Sequence, residues 1–314
     1  MEFVCPICKG ELEDADGAGY QCHSCNRTYP IVCNIPDFRI APDPYISIDE
    51  DREKGRHLAE AARTRSFRQM LEYYYSITPE DPADLALGWT GHALAGPKIA
   101  AGILGGRSGE ALLDVGCATG GMLTAASATF SRLVGVDVAF RWLVVAQTQL
   151  REAGVDATLV CANAEALPFR AGSFDWITCV DVAEHLRDLA QAVLEFHRVA
   201  PRLLCVTNNR YAPLLDPQVG LFGVGYLPRI WQPGYVAWRR RDLHRYNVSM
   251  RSAGELKANL EGAGYRRIQL SAAKLYAPHR PEMSRMLHAY NEWAPIFEPL
   301  TRLVGPKLEA IAES

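Results

Sequence analysis

The chain has 314 residues, a formal net charge of −3 and a hydrophobic fraction of 48%. This composition argues against a general polyanion binder, a disordered chain and a protein with an acidic tail. The length allows a full α/β domain with additions. No apolar run approaches membrane-spanning length, and the first residues lack the charged and apolar regions of a signal peptide. We therefore expect a cytoplasmic protein without a membrane span.

Two Cys-x-x-Cys pairs, separated by thirteen residues, mark the beginning of the chain. Each pair can present two thiolates from a tight turn, and together they supply the tetrahedral sulfur set that zinc prefers. A disulfide conflicts with a reducing compartment, and a thioredoxin-like redox pair would need an adjacent βαβ unit. We predict a structural zinc ribbon over residues 1–40, with His23 and Cys33 outside the ligand set. The predicted zinc ligands are Cys5, Cys8, Cys22 and Cys25.

Residues 41–108 are predicted to contain a linker followed by helices. The two prolines of Ala41-Pro-Asp-Pro44 fix the backbone and discourage a helix. Good helix formers fill residues 49–75, and residues 88–106 indicate a loop and a further helix. The tyrosines at positions 73–75 could stack on a substrate, but at helical spacing we expect them to pack in the core.

Residues 109–207 alternate between apolar runs and helical segments. The first run ends at Asp114 and passes into a Gly-containing turn, where Gly116 and Gly120 suit unusual φ values and close approach of a ligand. A ligand there would meet the N-terminal amides of the following helix. Asp137 ends the second run about twenty residues on, the distance at which nucleotide-binding folds place a carboxylate on ribose hydroxyls. The pattern predicts an α/β Rossmann-like sheet with helices on both faces.

Four motifs in this region resemble, in order, those of class I S-adenosylmethionine-dependent methyltransferases. They are Asp114-Val-Gly-Cys-Ala-Thr-Gly120, Asp137, Asn163-Ala-Glu-Ala-Leu-Pro-Phe169 and Ser173-Phe-Asp-Trp-Ile-Thr-Cys-Val-Asp-Val-Ala-Glu-His185. The resemblance implies that S-adenosylmethionine is the cofactor. Ala118 replaces the usual middle glycine, and Asn163 replaces a more usual Asp, although an amide can still accept a bond from the adenine amino group. The implied cofactor-binding residues are Asp114, Gly116, Cys117, Ala118, Gly120, Asp137, Val138, Asn163, Ala164, Glu165 and Asp181.

The resemblance extends to the regions before the core. Residues 27–38 resemble the zinc ribbons that are fused to, or partner, many bacterial and tRNA methyltransferases, with Cys33-Asn34 in the usual Gly-Ile-Pro turn. In related methyltransferases the helices that precede the core form a lid over the cofactor and part of the substrate pocket. The resemblance therefore implies that residues 41–108 form a linker and a helical lid.

Asp181, Glu184 and His185 are the predicted catalytic residues, at the carboxyl edge where α/β sheets place their chemistry. Methyl transfer from a sulfonium depends mainly on positioning, and a base matters only when the acceptor must lose a proton. His185 is the best candidate base because it titrates near neutrality. The stretch also resembles the cation site of ubiquinone-pathway O-methyltransferases and small-RNA 2′-O-methyltransferases, which would imply Mg²⁺ held by these residues. We favour the alternative that Glu184 and His185 cap or line the pocket without a metal.

Residues 208–250 form an insertion rich in aromatic residues and arginines. This composition suits a substrate cap, with rings for a flat or sugar-like face and guanidinium groups for phosphate. The alternative is an extended lid whose aromatics pack on the core. The pattern resembles a group of bacterial methyltransferases associated with polysaccharide or secondary-metabolite assembly. The predicted acceptor-binding residues are Tyr211, Trp231, Arg240 and His244.

The rest of the chain is predicted to complete the core and cover it. Residues 252–262 indicate a helix that begins at a Ser cap, and residues 264–270 indicate a sixth strand, so that residues 251–276 end the core. No seventh strand is expected. Apolar residues at helix-like intervals predict helices over 277–314, which would cover the core or form a homodimer contact.

Together these features predict methyl transfer from S-adenosylmethionine to an oxygen or nitrogen of a small-molecule acceptor. A glycosylated or phosphorylated secondary metabolite or polysaccharide precursor is one such acceptor. The rival is an RNA methyltransferase in which the ribbon grips nucleic acid. Against it, Lys9 and Arg27 are outnumbered in the ribbon by acidic residues. A third class, a non-catalytic cofactor-binding subunit, conflicts with intact Asp114, Gly116 and Asp137.

Overall fold

The computed structural model describes residues 2–78, 83–216, 219–240 and 248–314. Within these residues the chain forms eleven β-strands and ten α-helices. The strands are β1 (Glu13–Asp14), β2 (Gly19–Cys22), β3 (Arg27–Val32), β4 (Ile35–Pro36), β5 (Gly109–Val115), β6 (Phe130–Asp137), β7 (Thr158–Cys161), β8 (Trp176–Val180), β9 (Arg202–Asn208), β10 (Arg267–Ala272) and β11 (Lys307–Glu313). The helices are α1 (Ile48–Ala61), α2 (Phe67–Ser76), α3 (Ala83–Leu104), α4 (Gly121–Ala126), α5 (Phe140–Ala153), α6 (Leu189–Val199), α7 (Gln232–Arg239), α8 (Ala253–Gly262), α9 (Ser284–Trp293) and α10 (Glu298–Val304).

The strands form two sheets. The small sheet is antiparallel, in the order β1-β2-β3-β4, and the large one is mixed, in the order β10-β11-β9-β8-β5-β6-β7. In the large sheet β6 runs parallel to both β5 and β7, whereas β11 is antiparallel to β9 and β10. Helices α4 and α5 connect the three parallel strands, which confirms the predicted Rossmann-like α/β sheet.

The chain divides into two compact units. The first comprises Met1–Ile177 and Arg198–Pro201, and the second comprises Thr178–His197 and Arg202–Ser314. The first unit therefore contains the small sheet, α1 to α5 and β5 to β7. The second contains α6 to α10 and β9 to β11.

In the first unit, local signals begin the helices that precede β5. Ser47 and Ser66 each form a capping box with the residue three positions on, which satisfies amides at the starts of α1 and α2. Tyr74 is buried, with its ring centroid 4.1 Å from that of Trp142. The expectation that this tyrosine packs in the core is confirmed.

Helix α3 differs from the sequence prediction. The loop expected after Gly88 is wrong, because the helix already begins at Ala83 and runs through that glycine to Leu104. Ala and Leu, which are strong helix formers, recur along the segment and offset its glycines, each of which costs about 1 kcal/mol, and the interior Pro97.

In the second unit, the C-terminal strand corrects another prediction. We expected no seventh strand and helices throughout 277–314, but Lys307–Glu313 forms β11 between β9 and β10. Leu308, Ala310 and Ala312 are fully buried and alternate with half-buried residues. The pattern therefore has the strand period of two, although Leu308 and Ile311 are also three apart as in a helix.

Helix α8 begins as predicted. Ser252 caps it and forms a capping box with Glu255. No helix formed by the residues described above is both long enough and apolar enough to cross a membrane.

Candidate functional site

The four predicted zinc ligands come together in the small sheet of the first unit. Their sulfur atoms lie within 4.8 Å of one another, with 3.5 Å between Cys5 and Cys25 and between Cys8 and Cys22. Zn–S bonds of about 2.3 Å in a tetrahedron place the sulfurs about 3.8 Å apart. The cluster fits a zinc site. Within the described ranges, no other group of three or more His, Cys, Asp or Glu side chains could hold a metal.

The pKa values of these neighbouring thiols diverge: burial and hydrogen bonds with the other thiols raise the pKa of Cys25 to about 12, whereas Cys5 is shifted toward the thiolate. Burial raises the pKa of the Cys5 thiol, but hydrogen bonds from the Cys8 backbone and the Tyr29 hydroxyl outweigh it and lower the pKa to about 6. Thiolate is the form that binds zinc. Cys33 and His23 lie outside the cluster, as predicted. The carbonyl of Cys33 accepts a hydrogen bond from Gln147, and exposed His23 lies 2.9 Å from Glu13.

The loop after β5 has the backbone of a ligand cradle. Gly116, Ala118 and Gly120 have φ angles of 74°, 44° and 85°, so every second residue is left-handed. Gly120 is the N-cap of α4, which leaves the first amides of that helix without a capping side chain. The amides of Gly116, Ala118 and Gly120 are hydrogen-bonded within the fold, to the Val136 carbonyl, the Asp137 carboxylate and the Cys117 carbonyl, so the positive φ angles shape the turn and let a ligand approach its backbone. Ala118 adopts this conformation at a cost that glycine would avoid.

Asp137 organises the same loop from the end of β6. One carboxylate oxygen accepts a hydrogen bond from the Ala118 amide and the other from the Ala139 amide, each at 2.8 Å. Burial raises the pKa of Asp137, and these two hydrogen bonds oppose that rise. Asp137 therefore links the loop of the first motif to the residue before α5 and fixes their positions relative to each other.

Asn163 has an additional role that the sequence motif did not indicate. Its side-chain oxygen accepts hydrogen bonds from the amides of Ile40 and Ala41, at 2.8 and 3.1 Å, and its amide group donates to the Ala41 carbonyl. The residue following β7 thus fixes the end of the ribbon. Contact between Asn163 and adenine stays a prediction.

A buried ion-pair network, which sequence reasoning missed, begins where the ribbon ends. The Arg39 guanidinium binds both carboxylate oxygens of Asp37, at 2.7 and 2.9 Å, and reaches Asp51 at 2.7 Å and the Val138 carbonyl at 3.2 Å. The side chains of Arg39, Asp37 and Asp51 are fully buried. Burial raises the pKa of Asp37, but Arg39 and Arg52 outweigh it and lower that pKa. The network therefore carries fixed charges.

Asp51 extends this network to the first turn of α5. Its oxygens accept from the Phe140 amide at 2.8 Å and from the Arg141 guanidinium at 3.0 Å. The Arg141 side chain also bonds Asp43 and the Tyr74 hydroxyl. A carboxylate at a helix N-terminus is favourable because the amides there lack intrahelical partners. The network thus joins the ribbon, the linker, α1, α2 and α5. It reaches α5 at Phe140 and Arg141, a few positions after Asp137.

In the second unit, two of the predicted catalytic residues have structural partners. Both oxygens of Asp181, whose φ is 57°, accept from the Lys307 ammonium at 2.6 and 2.7 Å. Glu184 is fully buried, and one of its oxygens accepts from Thr207 at 2.7 Å while the other accepts from Asn208. His185 is half-buried in the turn that follows.

These contacts favour the interpretation of Asp181, Glu184 and His185 without a metal, and Mg²⁺ at these residues stays an untested prediction. The three residues do not form a metal-binding group in the described chain. Both Glu184 oxygens are engaged by neutral donors inside the fold, and the Asp181 charge is matched by Lys307. Capping by Glu184, the interpretation that we favoured, agrees with its position.

The insertion forms a small lobe with its own core. Val219, Leu221, Val224 and Val236 are buried together, and Tyr235 packs against them. We call residues 219–240 the cap. The backbone of Gly225 lies so close to the Arg210 carbonyl that an added Cβ would overlap it, and Arg210 donates to the Gly225 carbonyl at 2.9 Å. The cap is thereby fixed to the end of β9.

A cavity of about 190 Å³ lies between the end of β9, the start of the insertion and β11. Asn208, Asn209 and Lys307 provide polar groups. Apolar walls come from Leu214, Leu215, Val224, Met250 and Leu275. Because Lys307 binds Asp181, the cavity adjoins the fourth motif.

Three of the predicted acceptor-binding residues, Tyr211, Trp231 and Arg240, do not line this cavity. The Tyr211 ring packs at a tilt against Tyr226, with ring centroids 5.9 Å apart. Trp231 is 61% exposed, and Arg240 donates to the Val219 carbonyl at 2.9 Å. His244 lies outside the described residues. Lys307, which does line the cavity, was missed because its strand was predicted as helix.

The contact between the cap and α8 predicts sensitivity to acid. Burial raises the pKa of Glu255, but Arg229, 2.6 Å away, and Ser252 outweigh it and lower the pKa from 4.5 to about 2. Because the pKa of Glu255 is lower in the folded state than in the unfolded state, its charge stabilises the fold, and this contribution is complete at pH values above the unfolded pKa of about 4.5. The contribution is lost as the pH falls from about 4.5 toward 2. We expect Glu255→Gln to lose less stability than the wild type between about pH 5 and 3 in urea unfolding.

A matched control for that measurement is Glu261→Gln on the same helix, whose carboxylate is 56% exposed. It is expected to follow the wild-type pH dependence. An unchanged slope in the Glu255 variant would contradict the assignment of the shift to the Arg229 pair.

Comparison with known proteins agrees with these two parts of the chain. A model described as a methyltransferase domain matches residues 113–202, and one described as a Trm112p-like protein matches residues 3–32. The chain is 31% identical over 180 residues to the ubiquinone/menaquinone biosynthesis C-methyltransferase UbiE of Escherichia coli O139:H28, covering 51% of this chain and 68% of that protein. The chain belongs to the methyltransferase domain family.

Two further comparisons give the range of similarity. The uncharacterized methyltransferase YcgJ of Bacillus subtilis is 35% identical over 154 residues, and the chain spans 58% of it. A complex between the Trm112 methyltransferase activator of Haloferax volcanii and a methyltransferase aligns with a TM-score of 0.47 at 15% identity, covering 77% of this chain and 96% of that one.

Proposed function

We propose that the chain transfers a methyl group from S-adenosylmethionine to an oxygen or nitrogen of a small-molecule acceptor. The observation that carries this proposal is the cavity at the end of β9, whose polar groups include Lys307, the partner of Asp181 in the fourth motif. Family membership supports the reaction type. Open α/β sheets bind ligands at the carboxyl ends of their strands. The cavity lies at that end of β9, and Asp181 follows that end of β8.

Cofactor binding is assigned to the first unit. The turn of residues 116–120, with glycines at both ends, allows a ligand to approach the backbone closely, and Asp137 offers carboxylate oxygens that suit ribose hydroxyls. S-adenosylmethionine supplies the electrophilic methyl group when bound. Asn163 and the amides of α4 complete the proposed contacts.

For the transfer itself, positioning is the main contribution of the protein. Glu184 holds Thr207 and Asn208 in place from inside the fold. We assign His185 as the base that takes the acceptor proton, because histidine is the side chain that most often serves as a general base. Asp181, held by Lys307, orients the acceptor end of the site.

The cavity indicates the class of acceptor. Its volume of about 190 Å³ is below the roughly 300–1,000 Å³ of pockets that enclose a drug-sized ligand. It therefore accommodates one end of an acceptor rather than all of it. The combination of Asn208, Asn209 and Lys307 with apolar walls suits a molecule that has a polar end and an apolar body.

We also propose that Cys5, Cys8, Cys22 and Cys25 hold a structural Zn²⁺. The geometry of the four sulfur atoms fits tetrahedral coordination. The ribbon is linked through Arg39 and Asp51 to the start of α5, close to the proposed cofactor-binding residue Asp137. Such a zinc stabilises the fold and takes no part in methyl transfer.

The test is transfer of labelled methyl groups to cell extract, separated into RNA, protein and small-molecule or lipid fractions. We expect label in the last fraction. Asp137→Ala removes two hydrogen bonds to a charged group and is expected to weaken cofactor binding, measured by calorimetry, about a hundredfold or more. Lys307→Met is expected to retain cofactor binding and lose transfer.

Asp156→Ala, which removes an exposed carboxylate of the first unit, is the matched control and is expected to bind the cofactor normally. Unchanged affinity of Asp137→Ala would overturn the cofactor assignment. Label in RNA would overturn the small-molecule acceptor and make the ribbon a recognition module.

A further inference from the structure

The outer side of the cap exposes large apolar side chains that its own core does not use. Ile230, Trp231 and Trp238 are 83%, 61% and 67% exposed. Trp231, the N-cap of α7, and Trp238 near the end of that helix are spaced i and i+7 and so lie on the same side of it, whereas Tyr235 packs against the cap core. Val236, on another face, is buried in the cap core. The exposed face is therefore a surface feature and not a requirement for folding of the cap.

The charge of this segment is opposite to that of the chain. The cap contains three arginines and no acid, although the whole chain has a net charge of −3, and one of the three, Arg229, pairs with Glu255 of α8. Arg239 lies over the Trp238 ring, 5.6 Å from its centroid. Positive charge beside exposed indole rings complements a surface that is anionic and apolar beneath.

Such a surface is that of a lipid bilayer with anionic headgroups. Tryptophan and tyrosine favour the boundary between headgroups and acyl chains because their rings are apolar and their N–H or O–H groups remain hydrogen-bonded. Arginines beside them bind lipid phosphates. Apolar anchors combined with basic residues are the features of segments that lie in the interface without crossing the membrane.

We propose that the cap, residues 219–240, docks on an anionic lipid bilayer through Ile230, Trp231 and Trp238. The cavity wall continues to this surface. Leu214 and Leu215 line the cavity and are 54% and 61% exposed, and Leu215 forms a β-bridge with Phe222 of the cap. An acceptor with an apolar body reaches the cavity from the bilayer along this wall, a step that rests on the proposed function.

A second exposed apolar surface, on α9 and α10, lacks this charge complementarity. Trp293, Phe297 and Leu300 are each more than half exposed, but Glu292 and Glu298 lie among them. Carboxylates oppose binding to anionic lipid. This difference in charge favours the cap over the C-terminal helices as the docking surface. The exposed rings of the C-terminal helices then serve as a control.

The experiment is co-sedimentation of the full zinc-loaded chain with vesicles, without cofactor or acceptor. One set of vesicles contains only phosphatidylcholine, and the other contains about 30% phosphatidylglycerol. We expect binding to the anionic set that weakens as salt is raised, because exposed charges are screened. Trp231→Ser with Trp238→Ser is expected to reduce binding at least about tenfold. Arg239→Ser is expected to reduce it about fivefold.

Trp293→Ser, which removes a similarly exposed ring from α9, is expected to leave vesicle binding unchanged. Calorimetry with S-adenosylmethionine shows whether each variant keeps the first unit intact. Binding to neither vesicle, or equal binding by the double tryptophan variant, would overturn the proposal. A dimer in light scattering that disappears in the double variant, without vesicle binding, would instead assign this face to a second copy of the chain. Because no methyl transfer is measured, failure here leaves the proposed reaction standing.

Discussion

Asp51→Ala is expected to lower the free energy of unfolding by about 3–5 kcal/mol, because it removes the shared partner of two buried guanidinium groups. Arg39 and Arg141 each bind this carboxylate, at 2.7 and 3.0 Å, and its side chain is fully buried. An uncompensated buried charge is far more costly than an exposed one. The effect should therefore exceed that of ordinary surface substitutions.

The same substitution removes an acceptor at the start of α5. The Phe140 amide donates to Asp51 at 2.8 Å, and the helix loses a favourable anion at its N-terminus. Because Asp137 binds the Ala139 amide directly before that helix, disorder there reaches the proposed ribose contact. We expect faster hydrogen exchange over residues 137–141 in the variant.

Urea unfolding and hydrogen exchange check this prediction. Asp49→Ala is the matched control, since its carboxylate is 95% exposed on the same helix and lies 3.6 Å from Arg52. An exposed pair contributes at most about 1 kcal/mol. A loss of that size for Asp51→Ala would show that Asp37 and Asp43, which Arg39 and Arg141 already bind, suffice to compensate the two guanidinium groups.

The parts of the molecule that the sequence predicted correctly depend on local patterns. The turn at Gly116–Gly120, the capping residue Ser252 and strand β7 each follow from residues within a few positions of one another. The cysteine pairs are separated by only thirteen residues and have a single favourable arrangement around a metal. Short-range rules of backbone conformation and ligand geometry suffice for all of them.

The missed features depend on contacts between distant residues. Asp51 and Phe140 are 89 positions apart, Asn163 and Ile40 are 123 apart, and Lys307 and Asp181 are 126 apart. In the sequence, Asp51 resembles an ordinary acid in the first turn of a helix. Its burial is decided by where α5 lies, which no pattern within α1 specifies.

Strand β11 shows how a local rule can mislead. The spacing of Leu308 and Ile311 satisfies a helix, while the alternation of Leu308, Ala310 and Ala312 satisfies a strand. The choice is made by β9 and β10, which leave a gap with unpaired backbone groups between them. That decision also brings Lys307 to Asp181, so the same error concealed a residue of the candidate site.

Cys22→Ser is expected to release zinc and unfold the ribbon. Structural zinc in small domains contributes about 10–16 kcal/mol of apparent binding free energy, and the ribbon has few other sources of stability. Its main apolar contacts are a ring cluster in which the centroid of Phe38 lies 5.1 Å from Phe3 and 5.3 Å from Tyr20. Phe3 also contacts Phe169 outside the ribbon, with ring centroids 6.0 Å apart, so unfolding of the ribbon removes this contact as well.

The loss is expected to spread beyond the ribbon, because Arg39 follows directly and binds both Asp51 and the Val138 carbonyl. Emission spectroscopy should show about one zinc per wild-type chain and none in the variant, and hydrogen exchange should increase over residues 2–40 and again at 137–141. Cys33→Ser is the matched control, since this cysteine lies outside the sulfur cluster, and it should retain zinc. Full metal content in Cys22→Ser would refute the ligand set. Loss of metal with normal protection at 137–141 would show that the ion-pair network, once formed, does not need the ribbon.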